Sequence, residues 1–552
     1  MEGAASVRPH IEYVPAAPEL ISRTEDYSHL HYARGYVYHG EQHSPEVPAF
    51  WRSTSFAGGI FRWDPRGALA LAEAGDCAVL LFGHALHSEL GTTHLGEIAE
   101  HLLDGVRRNR ASYSDRLDDV FGQYVVIARA RTGTVRLQTD AIGSRAAFHD
   151  RRAQIVASHV RLVGETLRAK TSQYRRWVKD VRNNDFPGRT TRYRNVLQLL
   201  PNSEVTLGTG RITRVGPRPF DPLSVEEAAD QMLPILQRQC ELLLTSGRQI
   251  IISASAGVDS RTSLAAFAEA GDAVKVFTYT KAPGSGRQAP ELHRDKLAAT
   301  MSADLGLPHQ MFDLNAAEHP PKPYVETLNR LSTRRSNTVI SWVYHQQLPH
   351  DALHIRGQIN GVGKWHFARQ LHFSESLELS ARRMATLTKR AKGVDRDIDD
   401  PFWDIGERGF QEYIDTTGMR SVPTGYRMTD LFLWEHRVGN WNHPHIVESD
   451  VTFDTYQIFG SRRMIRLMLS VPELDRVQLS LFRELIRRQE PRLLDYPLNG
   501  QPWDPPVYDL PLSAYQRGIT RHEAELTELR RALRAQQKEF EDLRTTTGDT
   551  TS

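Results

Sequence analysis

Apolar and polar positions change period along this chain, and the changes divide it. From Cys77, the run CAVLLFGHAL predicts a strand leaving a core, and THLGEIAEHLLDGVRRN then takes helical spacing. Tyr124–Arg129 and Thr134–Gln138 flank the turn Arg131-Thr132-Gly133, which is a hairpin signature. A third strand is expected at Ala153–Ser158. Together these predict an antiparallel β-rich domain of roughly 200 residues. Residues 1 to about 60 mix Pro, Gly and aromatic residues without a period, and predict no particular element.

Further on the period becomes helical. Ser224-Val225-Glu226-Glu227 is a capping box opening an amphipathic helix through Met232, Ile235, Leu236 and Leu243 to Gly247. Ile250–Ile252 is a β-branched run suited to a strand buried on both faces. Small residues fill Ser253–Ser260, and Thr262–Ala270 reads as a helix closed by Gly271. Ala273–Thr280 predicts a second parallel strand; the loop APGSGRQAP follows, then a helix and strand in HRDKLAATMSADLGLPHQMFDL. Alternation of β and α from residue 248 predicts a parallel sheet with helices on both faces. Residues 320–470 are mostly helical by pattern, broken near 357–364, 418–426 and 439–445. In the last stretch Ile519, Leu526, Leu533 and Phe540 fall seven apart, with Leu529 and Leu543 at the paired position and His522 and Gln536 interrupting. Two readings stand: a short coiled coil that dimerises the protein, or an exposed helix lying on its own domain.

Composition narrows the function. A length of 552 residues implies two domains plus appendages. The net charge of +2 gives no reason to expect nucleic acid or an anionic membrane as partner. Two cysteines in no metal or redox spacing, no signal-peptide pattern and no apolar run near the ~20 residues that cross a bilayer point to a cytoplasmic protein.

The chemistry concentrates in Ser255-Ala256-Gly257-Val258-Asp259-Ser260. A strand, a small-residue loop and a helix in that order aim backbone N–H groups and a helix dipole at one spot, which suits an anion such as pyrophosphate. A Walker A ending and the three spaced glycines of a dinucleotide fingerprint are both missing. His443 and His445 flank Pro444 without further ligands in spacing, which is no metal motif.

That loop resembles the S-G-G-x-D-S pyrophosphate loop of the N-type ATP pyrophosphatases, with Ala256 in place of the first Gly. Gly122, Asp140, Gly143 and Ala157-Ser158, with the stretch LQLLPNSEVTLGTGRITRVGPRPFD, resemble the glutaminase domain of the asparagine synthetases and its passage into the synthetase domain. Leu305-Gly306-Leu307-Pro308-His309 is similar to a helix end in the same superfamily, which includes β-lactam synthetases and lasso-peptide cyclases. The resemblance spans roughly residues 75 to 500. It implies an α/β and α+β protein: a degenerate Ntn-type antiparallel αββα domain over 1–215 and a PP-loop adenine-nucleotide α-hydrolase-like synthetase domain over 222–510. A helical or coiled-coil arm over 513–545 and a disordered tail over 546–552 complete the expected layout.

The activity implied is adenylation of a carboxylate by ATP, releasing pyrophosphate, followed by attack of an amine or ammonia on the acyl-adenylate. In that reading Ser253, Ser255, Ala256, Gly257, Val258, Asp259 and Ser260 hold the phosphates, Asp259 holds Mg²⁺, and Phe277, Thr278 and Tyr279 border the adenine. Arg261 either adds guanidinium charge to the leaving pyrophosphate or makes a helix-surface salt bridge. The family's second acidic metal ligand has no counterpart in HIRGQINGVGKWHF; either Lys364 there substitutes ammonium charge for metal charge, or the acid lies in another stretch. Where the family places a Lys against the adenylate, LDRVQLSLFRELIRR offers Arg476. Asp295, Glu448, Asp450 and Arg462 are further pocket candidates with ordinary structural roles open to each. An active glutaminase uses a Cys at its mature N-terminus, whereas Met1 is followed by Glu2 and the first Cys is residue 77, so no glutamine hydrolysis is expected. These departures keep a second function in view, a catalytically degenerate protein acting as a binding or scaffold partner. A tRNA-modifying thiolase with the same loop is a poor third, since paired cysteines and a basic patch are missing.

Overall fold

A computed structural model describes residues 8–175, 177, 186–280, 288–332, 337–367, 379–389, 400–421, 425–500 and 503. The heptad stretch of the C-terminal arm lies outside these residues, as does the tail. The fold is mixed α/β, with two antiparallel sheets, one parallel sheet and many helices.

Both antiparallel sheets draw their strands from residues 10–214. One has the order His10–Val14, Ala68–Ala74, Cys77–His87, Val120–Arg129, Val135–Thr139, Ser203–Thr206, Ile212–Arg214. The other runs Val196–Leu199, Ala147–Asp150, Ile155–Ala157, Tyr36–His39, Gly59–Trp63, Arg52–Phe56. The expected hairpin is present with Val125 opposite Thr139. Side chains alternate across each strand, so one face of the first sheet packs Leu80, Phe82, Val125 and Ile127 against Tyr36, Phe61 and Val156 of the second. Its other face packs Val79, Leu81, Tyr124 and Val126 under the helix Leu95–Arg108 through Ile98, Leu102 and Leu103. Cys77 is buried in its strand and unpaired, and Cys240 is likewise a buried free thiol. The first 60 residues contribute three strands that their sequence does not announce. Tyr36–His39 is buried throughout, lying between two neighbours of its sheet.

The helix Val225–Leu244 begins with both bonds of its capping box formed: Glu227 N donates to Ser224 Oγ at 3.2 Å, and Ser224 N donates to the Glu227 carboxylate at 2.8 Å. It leads into the parallel sheet, whose order is His309–Asp313, Val274–Thr280, Ile250–Ser253, Leu353–Ile355, Asp454–Tyr456. Ile250 and Ile252 face the helix-covered core with Leu236 and Leu264, while Ile251 faces Phe277, Tyr344 and Phe453 on the opposite side. The chain first builds outward from Ile250–Ser253 to one side, then returns to place Leu353–Ile355 on the other. The sheet therefore reverses its winding between those two strands, and a crevice opens beyond their carboxyl ends.

Buried charges join the antiparallel sheets to the parallel one. Arg34 pairs with buried Asp454 and with the exposed Asp351, both at 2.9 Å. Arg145 meets Asp450 at 2.8 Å, and Gln123 Nε2 donates to the same carboxylate at 3.2 Å. At a second contact Arg214 grips Glu435 through two donors at 2.6 and 2.9 Å, and Tyr413 Oη and Asn202 Nδ2 complete the Glu435 shell at 2.8 and 3.2 Å. No helix among the described residues is long and apolar enough to cross a membrane.

Candidate active site

Chain leaving Ser253 is pinned at once to the neighbouring strand. Ala254 N donates to the Phe277 carbonyl at 2.8 Å, and Thr278 Oγ1 donates to the Ala254 carbonyl at 2.9 Å. The loop then folds around Ser260. Its hydroxyl donates to the Ser255 carbonyl at 3.0 Å, accepts from Ser255 N at 2.9 Å and lies 3.1 Å from Ser255 Oγ. Gly257 N donates to Ser255 Oγ at 3.3 Å, and Gly257 caps a helix running Val258–Ala266. That helix starts four residues earlier and ends four earlier than its sequence pattern predicts. Its first N–H groups, which have no partner within a helix, thus belong to Val258, Asp259 and Ser260 of the loop itself and face the crevice end of the sheet.

Across the crevice, the strand Leu353–Ile355 runs into a short 3-10 segment, Gln358–Lys364. It touches the loop at two points. Gly357 lies against Asp259 so closely that a Cβ would stand 2.5 Å from the Asp259 carbonyl oxygen. Lys364 Nζ forms an ion pair with Asp259 Oδ1. The lysine is fixed from behind: Gly363 packs against Met468 and Phe482, and the ammonium lies 5.9 Å from the Phe482 ring. Trp365 follows in the left-handed region at φ 47°, with the Arg427 guanidinium 4.5 Å over its ring. Left-handed backbone at a non-glycine residue costs of order 1–3 kcal/mol and persists only where surroundings enforce it. Arg356, the residue after that strand, is half-buried; its backbone N donates to the Tyr456 carbonyl at 2.9 Å, while its side chain makes no hydrogen bond or ion pair among the described residues, and nothing in its sequence context marks it.

The remaining expected site residues take other places. Arg261 is fully buried, and its guanidinium donates to four carbonyls, those of Leu493 (3.0 Å), Tyr496 (2.8 Å), Pro497 (2.9 Å) and Ala256 (3.1 Å). It is neither aimed at the crevice nor paired with a helix-surface carboxylate; it ties the segment after residue 493 onto the back of the loop, and burial lowers its pKa to about 10. Asn499 N adds a bond to the Ala256 carbonyl at 3.1 Å. Arg476 is buried and held by both oxygens of Asp430 at 2.9 and 2.8 Å, with a further bond to the Val362 carbonyl at 3.3 Å, so it braces the glycine-rich segment from the far side. Phe277 points into the apolar layer beside Phe312, Tyr344 and His354, Thr278 is taken by Ala254 and by His309 Nε2 at 2.9 Å, and only Tyr279 is exposed. Of these three, the backbone and Tyr279 remain to border a ligand.

Glu448 accepts from Asn337 N at 2.6 Å, Asp450 belongs to the Arg145 pair, and Arg462 donates to the Thr139 carbonyl at 3.4 Å; all three are structural in this fold. His443 is buried within the helix Gly439–Asp450. Asn360, in the glycine-rich segment, is fully buried with neither amide atom hydrogen-bonded.

The donor set does not fit a protein-held Mg²⁺. Asp259 is the single carboxylate in either loop, and its Oδ1 already faces an ammonium. Among the described residues no three His, Cys, Asp or Glu side chains are grouped to hold a metal ion. A divalent ion about 4 Å from a fixed ammonium meets repulsion of about 8 kcal/mol at an effective dielectric of about 20, which cancels the attraction of one carboxylate at the same distance. Ammonium, helix dipole and free N–H groups instead give the crevice a charge that suits an anion.

No family model matches the chain, and no curated protein matches it. Among solved structures, it is similar to the NH3-dependent NAD synthetase from Campylobacter jejuni subsp. jejuni, at 13% identity and a TM-score of 0.18, over 35% of this chain and 96% of that one.

Proposed function

We propose that the chain is an ATP-dependent, amide-forming ligase that activates a carboxylate as its acyl-adenylate and transfers it to an amine or to free ammonia, without glutamine hydrolysis. On this reading residues 1–215 form a degenerate glutaminase-like domain and 222–510 a PP-loop synthetase domain. The observation that carries it is the placement of the Ser255–Ser260 loop and the Val258 helix start where the parallel sheet reverses its winding, opposite Lys364 and Arg356. Such a crevice gathers ligands by the general rule for open sheets, and a helix start with free N–H groups favours phosphate.

The residues divide the work as follows. Backbone N–H groups at Val258, Asp259 and Ser260 and the Ser255 hydroxyl receive the β- and γ-phosphates. Charge builds on the departing pyrophosphate as the carboxylate attacks the α-phosphorus, so fixed donors there lower the barrier most. Lys364 and Arg356 add cationic charge from the opposite wall. Backbone groups at Phe277 and Thr278, with the exposed Tyr279, border the adenine. Cys77 is buried at the start of its strand and supplies no nucleophile for glutamine, so the second substrate brings its own nitrogen.

ATP–pyrophosphate exchange against a panel of carboxylates and peptides, each with and without ammonia, tests the proposal. Exchange dependent on one acid is the expected result, and Ser255→Ala should reduce it by about 10²-fold, the scale for losing one oxyanion donor. A second reading, a binding or scaffold protein, draws support from Arg476, which is held by Asp430 instead of being aimed at the crevice. Silence across the panel together with no ATP affinity by calorimetry would favour it over the ligase.

A further inference from the structure

We propose that Lys364 takes the place of a divalent cation in this site, so that the chain binds pyrophosphate and the phosphate chain of ATP without needing a metal ion. This rests on the nucleotide reading above and adds to it the means of charge neutralisation.

Three observations meet here. First, the ammonium is placed where a loop carboxylate would otherwise recruit a metal, in ion contact with Asp259 Oδ1. Second, it is held there by structure. The Lys364 side chain is 17% exposed and Asp259 39% exposed, and the Asp259 Oδ1 that meets the ammonium is itself buried, so the pair is sunk into the wall. Gly363 packed on Met468 and Phe482 and the left-handed Trp365 under Arg427 fix the backbone on both sides. Third, an ammonium has three N–H donors, and Asp259 is the one acceptor it meets among the described residues; two donors remain for an anion. The balance of charge agrees. Asp259 contributes one negative charge, while Lys364, the unpaired Arg356 and the positive end of the Val258–Ala266 helix contribute the opposite sign. A trianionic or tetraanionic phosphate chain is therefore matched by fixed protein charge, and an added divalent ion would compete with Lys364 for the same carboxylate. Asp259 is on this view a positioning residue that aims the ammonium.

The test is calorimetric titration of the full chain with inorganic pyrophosphate and with ATP, in excess EDTA and in excess Mg²⁺. Binding in EDTA within about threefold of that in Mg²⁺ is expected. Lys364→Ala should weaken binding in EDTA by tenfold or more, and Lys364→Arg should restore most of it. The comparison of the wild-type chain in EDTA and in Mg²⁺ carries the test if the Lys364 variants fail to fold. Wild-type affinity that falls more than tenfold on chelation, or Lys364→Ala binding like wild type in EDTA, would overturn the proposal while leaving nucleotide binding intact. Absence of binding under either condition would instead remove the nucleotide reading itself and this inference with it.

Discussion

Gly357 and Asp259 touch backbone to backbone across the crevice, with room for no side chain on the glycine: a Cβ would lie 2.5 Å from the Asp259 carbonyl oxygen and 2.6 Å from its carbonyl carbon. The contact registers the two loops against each other, and it is made of main chain, which cannot swing aside. Gly357→Ala is therefore expected to push Asp259 and the helix start out of place. ATP affinity should fall at least tenfold, and stability by about 1–3 kcal/mol, the usual scale of overpacking. Calorimetry and urea unfolding on the same preparation would check both, and an unchanged affinity would show that the loops are registered elsewhere.

Arg261 behaves as a tie. With four carbonyls around one buried guanidinium, Arg261→Ala should destabilise the fold by about 3 kcal/mol, the scale for breaking a buried network of charged hydrogen bonds. Urea denaturation reads this directly. Full stability with loss of ATP binding would instead assign the guanidinium to the ligand.

Glu435 sits fully buried among Arg214, Tyr413 and Asn202, and joins the antiparallel sheets to the helices beside the parallel one. Glu435→Gln leaves a buried arginine without its counter-charge, and a loss of about 3–5 kcal/mol is expected. The same substitution should leave pyrophosphate affinity unchanged in protein that remains folded at low temperature.

Acid should weaken the fold through its interior histidines. Burial lowers the pKa of His149, His436 and His443 to about 3, and of His84 to about 4. In the unfolded chain these groups titrate near 6.5, so between about pH 6.5 and 3 the unfolded state binds more protons than the folded one. Their contribution is thus fully present above pH 6.5 and is lost progressively as pH falls, with each histidine worth up to about 1.4 kcal/mol per pH unit in that window. Denaturation midpoints measured between pH 7.5 and 5 should drop steadily. A flat profile would mean that the interior histidines stay solvated.

How far the sequence could be read depended on where each signal lay. Ile250–Ile252 announced a doubly buried strand because all three positions are apolar, and Ser224–Glu227 announced a helix because both halves of its cap lie within four residues. The helix start at Val258 was hidden, since Val258, Asp259 and Ser260 look like loop residues when Gly257 is not known to be the cap. Leu353–Ile355 and Asp454–Tyr456 are three residues each, too short for any periodic signature, yet they complete the sheet. Tyr36–His39 escaped notice because its Tyr and His side chains are buried like apolar ones. Arg261 was legible only as a charge beside the loop; the carbonyls that claim it at the C-terminal end lie 232 to 236 residues further along. Its fourth bond, to Ala256, is local and gives no hint of the others.

That long reach also orders events during synthesis. When the loop, its strand and its helix have been made, the carbonyls of Leu493, Tyr496 and Pro497 are still some 230 residues away. Until then the Arg261 guanidinium has no interior to enter and the back of the loop is bare. The nascent chain carries its Ser255–Ser260 loop without this brace through that interval, and the brace forms only once residue 497 has been made.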